Sequence, residues 1–518
     1  RRIFFSVSTS TAQTGSTDRI RSAAFRQRVV SAEDAVKFIH PGDTVAISGF
    51  ASAGTPKETI PALATRIGQA RTAGTDFAIN LLTGASVSTS TERLLAEVDG
   101  IALRMPYQSE PTARSRINSG SMDYVDIHLS HVAQQVWLGY YGNVDIAIVE
   151  VSGITETGEL IPSASVGNNK TWLDVAEKVI LEVNSGIPSH IEGMHDIYYG
   201  TALPPNRKPI QITQVDDRIG QPTFRVDPDK VVAVVRTHAP DSGSPVTAPD
   251  AVSQAIADHV LDFFAHEVRA GRLPADSLLP LQAGIGNVAN AVLGGLDKGG
   301  YRGLTCYTEV IQDGMLHLIK EGIVTHASTT ALALSDAGFE DLQANIDFYH
   351  DRIILRPQEI SNHPEVVRRL GTIAMNGMLE ADIYGNVNST HVMGTKIMNG
   401  IGGSGDFARN GYVSMFLSPS TTRKGTISAI VPMVPHVDHT EHDVQVVVTE
   451  HGLADLRSLS PRKRARIIID KCAHPDYRPI LDDYFLRAQA ATGAGQTPHL
   501  LDEAFSFHQR YLRTGTMM

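Results

Sequence analysis

Short apolar runs rich in β-branched residues recur along this chain. They lie at 43–50 (DTVAISGF), 76–86 (DFAINLLTGAS), 145–152 (DIAIVEVS), 178–184 (KVILEVN), 230–237 (KVVAVVRT), 352–357 (RIILRP), 427–432 (ISAIVP) and 444–450 (VQVVVTE). Runs of this kind predict strands that are buried on both faces of a parallel sheet. Helix-like stretches such as 56–71 (PKETIPALATRIGQAR) separate some of them. Buried strands that alternate with helices predict an α/β protein with largely parallel sheets.

The clearest boundary in the chain is the segment 236–250 (RTHAPDSGSPVTAPD), which follows a predicted strand and is rich in Pro, Ser and Asp. Asp250 is suited to cap a long helix after this segment, and Gly271 is suited to end that helix. The apolar face of the predicted helix consists of Val252, Ile256, Val260, Phe263 and Phe264. We therefore predict an arm, an N-terminal domain and a C-terminal domain. They span residues 1–20, 21–238 and 239–518.

The first 28 residues carry six arginines and one acidic residue among many Ser and Thr. This composition is typical of an organelle-targeting presequence or its remnant, and the alternative is a disordered basic arm. It predicts a mitochondrial location, or one in a related organelle, if the source is eukaryotic. The alternative location is the cytoplasm.

The overall composition limits the classes of function. The formal net charge is −11 and the pI is about 6.0, with no basic domain, which argues against a nucleic-acid-binding protein. No run of about 18 apolar residues is present, so no membrane span is expected. The two cysteines, Cys306 and Cys472, cannot form a disulfide framework, and reduced thiols fit better. We expect Cys306 to be a small core residue.

Three glycine-dense loops follow predicted strands, at 48–57 (SGFASAGTPK), 284–289 (GIGNVA) and 399–407 (NGIGGSGDF). Backbone N–H groups in such loops can approach a phosphate or a developing oxyanion. The second loop also fits a variant of the dinucleotide-binding fingerprint, with the acidic residue Glu309 about 20 residues further on. Glu309 could therefore grip the ribose of a dinucleotide, or it could be a nucleophile. The local pattern leaves both open.

Two rival sites are weaker. The histidines His436, His439 and His442 are three residues apart, so neither a helix nor a strand brings all three to one face, and we predict no metal site. Ser404 lies in GGSGD, which lacks the last glycine of the serine-hydrolase elbow.

Longer motifs carry a resemblance over residues 20 to 515. In chain order they are SGFASAGTPKE, ITETGELIPSASVGN, LLPLQAGIGNVANAVLGGL, YTEVIQDGML, ISNHPEVVRRLGTIAMNGMLEADIYGNVNST, GIGGSGDFARN, ISAIVPMVPHVDHTEHDVQVVVTEHGLADLRSLSP and CAHPDYRPIL. The chain resembles the acetyl-CoA hydrolase/transferase family of class I coenzyme A transferases. Within that family it is most similar to the transferases that exchange CoA between succinyl-CoA and acetate.

The resemblance implies two similar open-sheet CoA-transferase domains with the active site in the crevice between them. It implies ping-pong CoA transfer between small carboxylates, from succinyl-CoA to acetate, through a glutamyl-CoA thioester on Glu309. No cofactor beyond CoA as a substrate and no metal are implied, and the expected partners are acyl-CoA, small carboxylates and a second copy in a homodimer. The alternatives are an acetyl-CoA hydrolase, an NAD-dependent oxidoreductase and a non-enzymatic acyl-CoA-binding protein.

The resemblance also assigns supporting residues, motif by motif. Ile285 and Gly286 would form the oxyanion hole, and Asn362 and Gly403 would hold the small carboxylate. Ser86 and Glu450 match residues near the nucleophile. The residues expected to contact CoA are Gly284, Asn287, Arg423 and Lys424.

Overall fold

The structure is a computed structural model that describes residues 18–86, 89–241, 243, 248–284 and 286–518, and only the backbone of residues 86, 89 and 90. The predicted arm at 1–20 therefore lies almost wholly outside the described residues. We call the part up to residue 241 the first half and the part from residue 248 the second half.

The first half contains one eight-stranded sheet. Its strands in chain order are β1 (Thr44–Ile47), β2 (Ile79–Leu82), β3 (Ile101–Met105), β4 (Asp123–Tyr124), β5 (Ile146–Ile154), β6 (Leu160–Pro162), β7 (Lys178–Asn184) and β8 (Val231–Thr237). Their spatial order is β8-β7-β5-β1-β2-β3-β4, all parallel, with β6 antiparallel to β5. All nine residues of β5 are buried, as expected for a strand covered on both faces.

The second half contains a second eight-stranded sheet. Its strands are β9 (Leu281–Ala283), β10 (Leu304–Tyr307), β11 (Val324–Thr329), β12 (Ile353–Leu355), β13 (Ile373–Gly377), β14 (Val413–Leu417), β15 (Val446–Thr449) and β16 (Gly452–Asp455). Their spatial order is β12-β11-β10-β9-β13-β14-β15-β16, parallel except for β16.

The two sheets share one topology. In each, the first strand lies centrally, the next three follow on one side, and the later strands are added on the other side. The order reverses between β1 and β5 in the first sheet and between β9 and β13 in the second. Ligands of open α/β sheets bind outside the carboxyl ends of the strands at such reversal points. The prediction of an α/β fold with similar open sheets is confirmed.

Helices and short strands occupy the segments between the strands of the two large sheets. The α-helices are Ala23–Arg26, Ala32–Ala35, Thr59–Thr72, Leu94–Glu97, Pro111–Ser119, Val132–Trp137, Asn169–Val175, Ala251–Arg269, Asn287–Lys298, Asp313–Lys320, Asp336–Ala344, Ile346–His350, Gln358–Ser361, Pro364–Leu370, Ser404–Ala408, Pro461–Cys472, Arg478–Ala491 and Ser506–Thr514. The short strands are Phe50–Ala51, Ala85–Ser86, Val310–Ile311, Ala331–Leu332, Glu380–Asp382, Val387–Asn388, His391–Val392, Lys396–Ile397, Thr421–Thr422, Ile427–Ser428 and Ile430–Val431. None of the helices in the described ranges combines the length and apolarity needed to cross a bilayer.

The long helix after the Pro-rich segment forms as predicted. Asp250 caps Ala251–Arg269 by accepting a hydrogen bond from Ser253 N (2.7 Å). Ile256 is among the apolar residues that this helix buries, and Gly271 just beyond its end has φ +69°.

The two halves share contacts beyond the chain connection. Backbone hydrogen bonds join Asp196 N to Leu355 O (2.9 Å) and Leu355 N to Met194 O (3.0 Å), so a first-half segment borders β12 of the second sheet. The buried guanidinium of Arg356 pairs with the Asp196 carboxylate across the same contact. Packing between the halves therefore fixes the crevice between the two sheets.

Both cysteines are buried and free. Cys306 lies in β10, its Sγ is 3.0 Å from Met315 Sδ, and burial raises the pKa of its thiol. A thiol of this kind is a core group, as the sequence predicts.

Candidate active site

Glu309 lies in the loop that leads from the carboxyl end of β10 to the helix Asp313–Lys320. Its carbonyl oxygen accepts hydrogen bonds from the Thr329 hydroxyl (2.7 Å) and from the backbone N–H groups of Thr330 (3.0 Å) and Ala331 (3.2 Å). These bonds anchor the loop to the neighbouring strand end. The Glu309 side chain is therefore presented from a fixed backbone.

The Glu309 carboxylate is in direct contact with two other predicted residues. The Asn362 side-chain amide donates a hydrogen bond from Nδ2 to Glu309 Oε1. Gly403 lies so close that a Cβ atom added there would be 1.5 Å from Glu309 Oε1 and 2.2 Å from Asn362 Nδ2. Only glycine fits at position 403 without displacing the carboxylate.

A buried carboxyl group, Asp406, completes this contact on the far side of Asn362. Asn362 Nδ2 is 3.5 Å from Asp406 Oδ2, and Asp406 accepts further hydrogen bonds from Ser130 N (3.0 Å) and Ser130 Oγ (2.6 Å). Ser130 belongs to the first half and Asp406 to the second, so the bonds cross the crevice.

The surroundings oppose ionisation of both carboxyl groups. Burial raises the pKa of Glu309 to about 7, against the hydrogen bond from Asn362, which lowers it. Burial also raises the pKa of Asp406 to about 7, where the Ser130 hydrogen bonds act against it and the charge of Glu309 adds to it. Near neutral pH a small change of surroundings therefore changes the charge of this pair.

Glu309 lines a cavity of about 340 Å³ between the two halves. The first half supplies Phe50, Ala51, Ala85, Tyr107 and Leu129 to its wall. The second half supplies Gln282, Gly284, Glu309, Val310, Asn376, Gly377, Met378, Leu379, Ser389, Asn399, Gly400, Ile401, Gly402, Gly403 and Ser404. None of these described lining residues is Lys, Arg or His. An anion in the cavity would therefore meet neutral donors.

Gly284 and Gly286 lie between β9 and the helix Asn287–Lys298, where the fingerprint predicts a turn. Gly284 lines the cavity, and Gly286 has φ +127°, a conformation that favours glycine. Asn287 is exposed at the first position of the helix. Ile285 lies outside the described residues, so the oxyanion role of Ile285 and Gly286 stays a prediction.

Most of the chain is similar to proteins of one family. Residues 14–236 match the acetyl-CoA hydrolase/transferase N-terminal domain, and residues 338–485 match the C-terminal domain of the same family. The chain belongs to the acetyl-CoA hydrolase/transferase family. Succinyl-CoA:acetate CoA-transferase of Clostridium kluyveri is 48% identical over 96% of this chain and 92% of its own length. Acetyl-CoA hydrolase of Schizosaccharomyces pombe is 46% identical over 96% of this chain and 98% of its own length.

A solved structure has the same fold at low identity. RipA from Yersinia pestis matches with a TM-score of 0.68 and 22% identity, over 91% of this chain and 99% of that one. Membership of the acetyl-CoA hydrolase/transferase family removes the reason to regard the chain as an NAD-dependent oxidoreductase.

In this acetyl-CoA hydrolase/transferase chain, Ser86 and Glu450 are predicted to lie near the nucleophile. Ser86 lies in the short strand Ala85–Ser86, and its backbone pairs with Ala51 of the short strand Phe50–Ala51. Phe50, Ala51 and Ala85 line the cavity, so the backbone of Ser86 lies beside the site.

Glu450 contacts a serine at the start of a hairpin, and its predicted role beside the nucleophile stays a prediction. Its carboxylate accepts hydrogen bonds from Ser420 N (2.7 Å) and Ser420 Oγ (2.6 Å), and it is not among the residues that line the cavity. Ser420 begins the hairpin Thr421–Ser428, and the exposed residues Arg423 and Lys424 form the hairpin tip. Glu450 thus holds the base of the hairpin that presents the two cations predicted to bind CoA.

The histidine-rich segment lies behind the cavity wall. His439 is buried against Phe416, with its Nε2 3.1 Å from Ser404 Oγ. His436 stacks on His391 with ring centroids 3.7 Å apart, and His442 is exposed. Within the described ranges, no three metal-ligating side chains come together. His439 supports Ser404, which follows the critical Gly403.

Several site residues are not among those predicted from the sequence. They are Ser130, Asp406, Tyr107 and Asn376. Asp406 stands three positions after Gly403 in the glycine-rich segment, but its burial and its contact with Ser130 follow only from the fold. Asn376 lines the cavity, and its Nδ2 has no hydrogen-bond partner within the described part of the chain. The sequence around Ser130, Tyr107 and Asn376 likewise gives no local signal, because only the fold brings these residues to the crevice.

Proposed function

We propose that this protein transfers coenzyme A between small carboxylates, with Glu309 as the covalent nucleophile. The observation that carries the proposal is the Glu309 carboxylate itself. It lies in the wall of a cavity at the reversal point of the second sheet, against Asn362 and Gly403. The relatives of this chain include a protein named as a CoA-transferase. A carboxylate can serve as the covalent nucleophile in such a transfer.

The first covalent exchange makes an anhydride. A Glu309 carboxylate oxygen attacks the thioester carbonyl of acyl-CoA, so a C–O bond forms, the C–S bond breaks, and CoA leaves as the thiolate. The thiolate then attacks the glutamyl carbonyl of the anhydride. A new C–S bond forms, the glutamyl C–O bond breaks, and the first carboxylate departs. Glu309 is left as a thioester of CoA.

The second carboxylate reverses these steps. It attacks the glutamyl-CoA thioester, releases the thiolate and forms a new mixed anhydride, whose acyl carbonyl the thiolate then attacks. Glu309 returns to its carboxylate form. Each exchange replaces one activated acyl bond by another and needs no net proton, so the free energy of the thioester is conserved. The cavity must limit access of water, because water would hydrolyse either intermediate.

The proposed substrate pair is succinyl-CoA and acetate. The 48% identity to the Clostridium kluyveri enzyme of that name supports it. In the part of the cavity wall that is described, a second carboxylate of the succinyl group would meet neutral donors such as the unpartnered Asn376 amide. A hydrogen bond from a neutral amide to a carboxylate is charge-assisted, so such donors can bind this second carboxylate.

Hydrolysis of acetyl-CoA is the second candidate function, and the 46% identity to the Schizosaccharomyces pombe hydrolase supports it. Both reactions would use the same Glu309 intermediates, with water in place of the second carboxylate. The two differ in how the rate of acetyl-CoA consumption responds to an added acceptor.

The test measures acetyl-CoA consumption with and without succinate, and succinyl-CoA consumption with and without acetate. A transferase requires the acceptor and gives parallel lines in double-reciprocal plots. Consumption at the same rate without acceptor would instead establish hydrolysis. Glu309→Ala should abolish both reactions, and Glu309→Asp should be nearly as inactive because its carboxylate is retracted by one methylene. Substantial transfer by Glu309→Ala would overturn the proposed mechanism.

A further inference from the structure

Asp406 connects the first half of the protein to the amide that contacts the nucleophile. Its Oδ1 accepts from Ser130 Oγ (2.6 Å), and its Oδ2 accepts from Ser130 N (3.0 Å) and lies 3.5 Å from Asn362 Nδ2. Asp406 and Asn362 are buried, and Asp406 does not line the cavity. It can therefore act on the reaction only through its neighbours.

The polarity of these hydrogen bonds determines which way the Asn362 amide points. Its Nδ2 group lies between two carboxylates, Glu309 and Asp406, which accept hydrogen bonds when ionised. Its Oδ1 is buried and has no hydrogen-bond partner among the described residues. Nothing on the Oδ1 side therefore holds the amide, and the carboxylates on the Nδ2 side set its orientation.

One of these two carboxylates changes during the proposed reaction. When Glu309 becomes an anhydride or a thioester, it loses its charge and becomes a weaker acceptor. Asp406 is then the remaining carboxylate next to the Asn362 amide. Its own position is set by both donors of Ser130, across the crevice.

We propose that Asp406, held by Ser130, is a positioning residue that keeps the Asn362 N–H aimed at the reacting carboxyl group of Glu309 throughout the catalytic cycle. This inference rests on the proposed function. It also makes the orientation of Asn362 depend on the contact between the two halves.

A double-mutant cycle tests whether Asp406 acts through Asn362. The variants are Asp406→Ala, Asn362→Ala and the double variant, each assayed for kcat/KM with the carboxylate acceptor. We expect each single variant to lose about tenfold to a hundredfold, as for one charge-assisted hydrogen bond. The double variant should lose no more than Asn362→Ala alone, because removal of Asn362 leaves Asp406 nothing to position. Losses that multiply in the double variant would overturn the inference.

A matched pair of variants tests whether Asp406 acts as a hydrogen-bond acceptor or only fills space in the core. Asp406→Asn keeps an acceptor oxygen for Asn362 and Ser130 N, since the Ser130 hydroxyl can itself accept a hydrogen bond from the new amide. Asp406→Leu has a similar size and no acceptor. We expect Asp406→Asn to recover most of the kcat/KM that Asp406→Leu loses, with the Kd for free CoA similar in both. Equal losses in the two variants would contradict the positioning role.

The outcomes also separate this inference from the proposed function. A wild-type protein that transfers no CoA would contradict the proposed function, whereas an Asn362→Ala variant of wild-type activity would contradict the positioning role. An active wild type with multiplicative losses would contradict the positioning role alone. If Asp406→Ala does not fold by circular dichroism, the same cycle is run with Ser130→Ala, which removes the donor at the other end. Multiplicative losses there would also overturn the inference.

Discussion

The surroundings of Glu309 oppose its charge, although its proposed role requires the charged form. Burial raises the pKa of Glu309 to about 7, and Asn362 partly restores the anion by donating a hydrogen bond. A carboxylate that is less stabilised by water is a stronger nucleophile towards a thioester. The site thus balances nucleophilicity against the fraction of enzyme that is ionised.

This balance predicts a pH dependence. The anion is the reactive form, so kcat/KM should fall about tenfold for each pH unit below the pKa of about 7 and level off above it. Asn362→Ala should move the midpoint to higher pH, because the lost hydrogen bond stabilises the anion. A pH–rate profile of both proteins measures this. A wild-type profile that is flat from pH 5 to 8, or a midpoint that moves to lower pH in the variant, would contradict the assignment.

Gly403 is required because its backbone touches the carboxylate. Gly403→Ala would place a Cβ atom 1.5 Å from Glu309 Oε1, so the carboxylate must move. We expect a loss of at least about a hundredfold in kcat, since small displacements of a reacting group are this costly. Gly294→Ala is the control, because its Cβ meets no atom within 4 Å on an exposed helix position. It should keep full activity, and an active Gly403→Ala variant would show that the described contact is not functional.

At the residue scale, the sequence predicts the site unevenly. Glu309, Asn362 and Gly403 are distant in sequence, and only the family motifs suggest that they belong together. The segment GIGNVA and Glu309 are also compatible with a ribose-binding role, because a strand, a glycine loop and a helix have the same form in both kinds of site. Asp406 and Ser130 escape prediction because their importance comes from one contact across the crevice.

At the element scale, most of the β-branched runs form strands of the two large sheets. The prediction for 427–432 is wrong, because this run forms only the short strands Ile427–Ser428 and Ile430–Val431 outside those sheets. The β-branched runs at 145–152, 178–184 and 230–237 correspond to β5, β7 and β8. β11 (VTHAST) and β13 (IAMNG) carry no such apolar run, because polar and small residues interrupt them. In β13 this change reflects the site: Asn376 and Gly377 end the strand in the cavity wall. Function thus removes the pattern on which strand prediction depends.

The hairpin Thr421–Ser428 is the element that we expect to contact the phosphates of CoA. Arg423 and Lys424 are exposed at its tip, and Glu450 holds its base through Ser420. The double variant Arg423→Gln/Lys424→Gln should raise KM for acyl-CoA about three- to tenfold, with a smaller effect at high salt.

Acyl-pantetheine, which lacks the nucleotide phosphates, is the control substrate for the hairpin. Its KM should be the same in the wild type and the double variant. Equal increases for both substrates, or no change for acyl-CoA, would mean that the hairpin does not bind the phosphates.

At the scale of the whole molecule, the two sheets have the same topology, but different groups lie at the points where their strand order reverses. The point in the second sheet opens to the cavity and Glu309. Near the point in the first sheet, the Lys57 ammonium lies 2.5 Å from Glu150 Oε2 and 2.6 Å from Asp241 Oδ1, and all three residues have little exposure. Burial raises the pKa of Glu150, and the charge of Lys57 acts against this shift. The first half therefore has a buried ion cluster where the second half has a site.

The ion cluster leads to a prediction about stability. Lys57→Met leaves the Glu150 and Asp241 carboxyl groups buried without their cation, so it should lower the free energy of unfolding by about 3 to 5 kcal/mol. Thermal unfolding at pH 7 measures this, with the exposed Lys37→Met as the control. A Tm unchanged in Lys57→Met would show that the cluster contributes little.

The fold class of the whole molecule is predictable from the alternation of strands and helices, but the relation of the halves is not. The contact of Asp196 with Leu355 and Arg356 joins residues about 160 positions apart, and no local pattern indicates it. The domain boundaries, the homodimer and the organelle location stay predictions. The cavity depends on this contact between halves, which is why only its separate loops could be predicted.

The central claim is that Glu309 carries the activated acyl and CoA groups. The most direct test is the intact mass of the protein after mixing with succinyl-CoA or acetyl-CoA, with and without borohydride, followed by peptide mapping. We predict an adduct of CoA less one water, converted by borohydride to an alcohol at residue 309, and no adduct in Glu309→Gln. An active wild-type protein without that adduct, or with one mapped to another residue, would contradict the account.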